Sequence, residues 1–191
     1  MKRSMFLSLF LVAVALVTLG ANNSCKDLRN VPLDTTGEYS GTWTFNYKEG
    51  GTIVDTKDCA CTMTLDQDVN LPFPRNIYLT GTLNINLSCL DEWENWPYGQ
   101  EYPSFEAVEG LYGGTVVNSD GRIAVTLGSE VSWLEVDGFL DLGGFGESEN
   151  QAGVDIPEMT RYSGDWELVV SGVVFLGTVT INGTFDVTRV E

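Results

Sequence analysis

The chain has 191 residues, 10 Lys and Arg against 27 Asp and Glu, a formal charge of −17 and 43% apolar content. That length suits one domain with a real core, and the charge argues against nucleic acid or an anionic lipid surface as a partner. Histidine is absent, which removes Ser-His-Asp and Cys-His catalysis and histidine-bearing zinc sites.

In chain order, residues 1–20 read as a secretory signal peptide. Lys2 and Arg3 precede an apolar run from Met5 to Leu19 that is short for a membrane span, and Thr18 and Gly20 are small enough for cleavage. The product expected is secreted or periplasmic, with no transmembrane span; the alternative is a lipid anchor at Cys25 on a bacterial membrane. Residues 21–36 form a polar leader in which Pro32 argues against a regular element. A single barrel domain is expected over 37–191.

Gly37 to Tyr47 alternates Tyr39, Gly41, Trp43, Phe45 and Tyr47 against Glu38, Ser40, Thr42, Thr44 and Asn46, the pattern of a half-buried strand. Part of it recurs at Tyr162 to Leu168. A second strand is expected over 52–67, kinked near Lys57-Asp58. Ile77 to Cys89 alternates without a break, a length that suits a small closed barrel, where a sandwich would break or bend it. If Leu65 lies opposite Thr80 to Thr82, Cys59 or Cys61 comes near Cys89.

A loop is expected over 91–110. A hairpin follows, 113–117 and 122–127, then a strand-like stretch over 131–142 in which Asp137-Gly138 is either a turn or an interruption. A long loop over 143–161 and strands over 165–174 and 177–190 complete the reading. The fold class is all-β: an antiparallel up-and-down barrel of about eight strands, with a β-sandwich as the alternative. Trp43, Phe45, Leu83, Ile85, Val125, Val179, Ile181 and Phe185 each sit on the apolar phase of their strand and should share one core.

Two details resemble the calycin superfamily of lipocalins, fatty-acid-binding proteins and avidins. Gly41-Thr42-Trp43 is similar to the Gly-x-Trp of their first strand, and Arg189 stands near the end of the last, where the family has an arginine packed over that tryptophan. The resemblance implies a lipocalin-like barrel closed by those two strands, with Arg189 stacked on Trp43. Its interior would hold one small apolar molecule or be filled by side chains.

Cys25, Cys59, Cys61 and Cys89 make an even count, which in an exported chain reads as two disulfides. Cys89 is expected to pair with Cys59 or Cys61, and Cys25 with the other. Cys59, Cys61 and Met63 on one face are also soft copper ligands, but the signal segment favours disulfides. Asp66, Asp68 and Asn70 have calcium-loop spacing, yet Leu71 and Ile77 stand where a loop needs Gly and Glu. No metal and no cofactor is therefore expected.

Trp93, Trp96, Tyr98 and Tyr102, among carboxylates, form either a cap on the barrel or a glycan-stacking surface. No nucleophile and base pair stands out, so an enzyme is not expected. The reading is an exported barrel that binds a small apolar ligand or serves as a structural surface module; the alternative is a carbohydrate-binding or adhesive sandwich using loop 91–110.

Overall fold

Alternation along each strand becomes an inside and an outside. The computed structural model describes residues 33–70, 75–96, 107–119, 122–133, 136–148, 156–173 and 177–191. Its strands are β1 (Gly37–Glu49), β2 (Thr52–Asp66), β3 (Tyr78–Ile85), β4 (Ala107–Val117), β5 (Ile123–Trp133), β6 (Val136–Ser148), β7 (Met159–Val173) and β8 (Gly177–Arg189). Each pairs antiparallel with the next, and β8 returns to β1, so the ring of eight is closed. The segment expected as a signal, most of the leader and Cys25 lie outside the described residues.

Closure requires tilt. From Tyr78 the register runs round through Gly114, Thr126, Gly143, Asp165, Thr184, Thr44 and Asp58. Extending the β2–β3 ladder beyond Cys61 and Ile85 brings that circuit back to β3 towards Ser88, well past its starting point. A stagger of this kind is what steeply inclined strands in a small barrel produce.

All eight residues expected in the common core are buried. Trp43 stacks on Trp166 with ring centroids 4.8 Å apart and on Phe185 at 5.9 Å. Phe45 meets Trp166 edge-on at 5.0 Å and Tyr162 meets Phe185 at 4.6 Å. These rings from β1, β7 and β8 fill much of the interior. The outward phase is Thr, Asn, Asp and Glu in the main, the reverse of a barrel wall that faces lipid. No helix among the described residues is long and apolar enough to cross a membrane.

Several boundaries differ from the sequence expectation. β3 stops at Ile85 instead of reaching Cys89, because Asn86 caps a 3₁₀ helix over Leu87–Glu92, accepting from Ser88 N at 3.2 Å and Ser88 Oγ at 2.7 Å. The ring closes without the long strand, so strand length was the wrong criterion for closure. The irregularity in β2 is not at Lys57-Asp58; the register shifts where Tyr47 faces Asp55 and Lys48 faces Ile53, leaving Val54 as the extra residue.

β4 begins inside the expected loop, at Ala107. The β5–β6 hairpin turns between Trp133 and Val136, so Asp137 and Gly138 belong to β6. The expected loop over 143–161 is strand at both its ends: β6 continues to Ser148 and β7 starts at Met159. Gly144 reads as a loop residue there, but it is the register partner of Gly164 in the repeated strand motif. A Cβ on Gly144 would lie 2.3 Å from Ser163 O, and one on Gly164 2.2 Å from Gly143 O. Close strand approach, not a turn, requires them.

Residues 33–36 also belong to the domain. Leu33 and Thr35 are fully buried. A Cβ on Gly146 would stand 2.7 Å from Leu33 Cδ2, so that glycine leaves the space Leu33 fills. Thr35 N and Oγ1 donate to Gln67 Oε1 at 3.0 and 2.9 Å, and Tyr39 Oη donates to Thr35 O at 2.7 Å. Residues 33–36 therefore plug one end of the barrel.

Trp43 and Arg189 do lie on the two strands that close the ring, but the stack between them is replaced. The register sets Arg189 opposite Tyr39 and Trp43 opposite Phe185. Arg189 instead lies over Gly37 at the plugged end and pairs with Glu158, Nη1 to Oε2 at 3.1 Å. A glycine at 37 leaves room for the guanidinium, and the partner acid compensates its half-burial.

Candidate functional site

The opposite end is stopped by tryptophan. The 3₁₀ helix carries Cys89 back onto β2, where it is bonded to Cys59 with Cα atoms 5.4 Å apart. That tether fixes the segment that follows. Trp93 N donates to Leu90 O and Trp96 N to Trp93 O, each at 3.0 Å, folding the chain across the mouth. Trp93 and Trp96 pack with centroids 6.0 Å apart, and Trp96 meets Phe45 edge-on at 5.9 Å. Both are only 8% exposed, so most of each ring goes into the core rather than towards a ligand.

Asp55 anchors the cap from β2. Its Oδ2 accepts from Trp93 Nε1 and from Asn95 Nδ2, both at 2.7 Å, and its Oδ1 from Thr56 N at 2.8 Å. The Trp93 and Asn95 bonds, then that from Thr56, hold the carboxyl below its ordinary value. A depressed carboxylate contributes above its unfolded pKa and is lost as pH falls through the lower folded one. Tryptophan near-UV circular dichroism should thus stay constant down to about pH 4 and change only below it, since an ordinary Asp titrates near 3.9. Asp55→Asn should remove that acid transition; a cap signal that titrates at pH 5 would contradict the anchoring.

Against the two indoles lies a groove of about 250 Å³, lined by Asn46, Tyr47, Lys48, Trp93, Trp96, Thr180, Ile181 and Asn182. Asn46 Nδ2 donates to Asn182 Oδ1 at 3.3 Å across the β1–β8 seam. One amide oxygen and one amide nitrogen thereby remain for a ligand. Lys48 has no ion pair among the described residues. A second depression, about 540 Å³, shares Asn46, Lys48 and Asn182 and runs down the outer wall past Asp165, Glu167 and Thr184.

Of the expected contact residues, Trp93 and Trp96 come together here; Tyr98 and Tyr102 lie outside the described residues. Asn46, Lys48, Asn182 and Asp55 were missed, since an outward Asn or Lys on a strand has no local mark until the ring brings β1 beside β8. Cys61 is a free, buried thiol held up to about 11 by burial, and Cys25, its expected partner, lies outside the described residues. Cys59, bonded to Cys89, is not a thiolate for copper. Comparison with known families, curated proteins and solved structures finds no match to this chain.

Proposed function

We propose that this chain is an exported, non-catalytic β-barrel of calycin type that binds a neutral oligosaccharide at its tryptophan-capped end. The observation that carries the reading is the groove where an Asn46–Asn182 amide pair, the Lys48 ammonium and the margins of two indoles converge. A sugar presents hydroxyls, each donor and acceptor, on a ring with apolar faces. A free amide oxygen, a free amide nitrogen and an ammonium match the hydroxyls, and indole margins match the faces.

Three further points support it. The stacked rings of β1, β7 and β8 leave the interior built of side chains, which favours a ligand outside over a small apolar one within. A structural disulfide suits the secreted or periplasmic setting, whether the chain is free or lipid-anchored at Cys25. For the calycin relation, the strand bearing Gly41-Thr42-Trp43 pairs with the one bearing Arg189.

Calorimetric titration with malto-, cello-, xylo- and chito-tetraose tests the proposal. One series should bind, and Asn182→Leu should weaken it about tenfold, the equivalent of one good hydrogen bond at about 1.4 kcal/mol. Binding that survives both Asn182→Leu and Lys48→Met would overturn the site. A fatty acid or other apolar molecule retained in native mass spectrometry would restore the interior as the binding place.

A further inference from the structure

We propose that the outer wall over β4, β5 and β6 docks a basic polypeptide segment, with an arginine seated on Phe139. On a wall of hydroxyls and carboxylates, Phe139 is 41% exposed and Tyr112 54%. Their rings meet edge-on, centroids 6.5 Å apart, across a glycine between their strands. A Cβ on that residue, Gly128, would come 2.6 Å from Phe139 Cζ. Glycine thus allows the phenyl ring to lie down on the sheet and turn a face to solvent.

The surroundings specify what covers that face. Glu130 is the register partner of Phe139, and Asp137 and Asp141 stand two residues to either side of it on the same outward phase. Glu167 follows as the partner of Asp141. None of the four carboxylates has an ion pair among the described residues, and like charges in direct register, as at Asp141 and Glu167, are unfavourable without a cation.

The same strand already holds a completed version of this arrangement. Phe145, six residues along on the same phase, is covered by the Arg122 guanidinium, Cζ lying 3.5 Å from the ring centroid. Phe139 has the ring and the surrounding acids but no guanidinium over it among the described residues. A planar guanidinium stacks on a phenyl face while its fork reaches carboxylates, which an ammonium does less well. A second copy of the chain, itself at −17, is repelled, whereas a basic segment is drawn in.

Fluorescence anisotropy of labelled Gly-Arg-Gly-Arg-Gly on the disulfide-intact protein, at physiological salt, tests this. The arginine peptide should bind, its citrulline counterpart should not, and the lysine counterpart should be weaker. Phe139→Ser should weaken binding at least tenfold with the thermal melt unchanged, and Glu130→Gln about threefold. Asp66→Asn, the same charge change on β2, should leave it alone. No binding by wild type, or equal binding by Phe139→Ser, Tyr112→Ser and wild type, would overturn the proposal, the latter leaving only diffuse attraction. Competition by a neutral oligosaccharide would also overturn it, by assigning the wall to a glycan. The two sites share no residue, so failure here leaves the end groove standing, and the reverse.

Discussion

Leu83→Lys should prevent folding, whereas Thr82→Lys, one residue away, should leave a folded protein of near wild-type stability. Leu83 is fully buried on β3, opposite Met63 of β2 and Val108 of β4, which are buried too. An ammonium there loses its hydration with no carboxylate in reach, and burial of an unpaired charge is comparable to the whole of a domain's stability, about 5–15 kcal/mol. Thr82 points the other way and faces Glu109 on the outer wall. A lysine at that position gains an acidic neighbour worth a few tenths of a kcal/mol at most. Far-UV circular dichroism and urea denaturation of the two variants decide it. Equal tolerance would mean the inward phase of β3 is displaced by one residue, which would reverse every side chain on that strand.

That pair illustrates how much of the molecule the sequence carried. The phase of β1, β2, β3, β5, β7 and β8 was legible because a two-residue period leaves only two choices, and burial of one face separates them. The β2–β3 register was legible as well: Leu65 was expected opposite Thr80 to Thr82 and lies opposite Gly81. Here two strong alternations and cysteines on matching faces constrained one another. The fold class followed from the same signal repeated eight times.

What was illegible depended on partners distant in sequence. Gly144 and Gly146 look like a turn until β7 and Leu33 are beside them, because a glycine required by close approach has the same letter as one required by backbone conformation. Leu33, after Pro32 in a polar stretch, gave no period at all; its place is defined by the gap over Gly146. Asn86 ended β3 through a side-chain bond to the next turn, a local effect that alternation does not register. The candidate site suffered most. Trp93 and Trp96 were visible as aromatics, but their burial under Asp55 and the amide pair beside them exist only once β1, β2 and β8 are neighbours.

Loss of the Cys59–Cys89 bond should be the largest effect of any change that leaves the core side chains intact. The bridge closes a loop at a sequence separation of 30, for which chain-entropy arguments give about 3–4 kcal/mol and typical secreted domains lose about 2–5. A Cys59→Ala/Cys89→Ala variant should therefore unfold at markedly lower guanidinium concentration. Its loosening should also be uneven. β3 ends at Ile85, so the 3₁₀ helix and the two capping tryptophans depend on the bridge more than the eight-strand ladder does. Tryptophan fluorescence should accordingly change at lower denaturant than far-UV circular dichroism does. Cys61 supplies an internal reporter in the same protein. Burial pushes its thiol up to about 11, so iodoacetamide should spare it while the barrel is closed and label it as the barrel opens. A variant with stability within 1 kcal/mol of wild type and coincident transitions would show that Trp93, held by Asp55, secures the cap without the bridge.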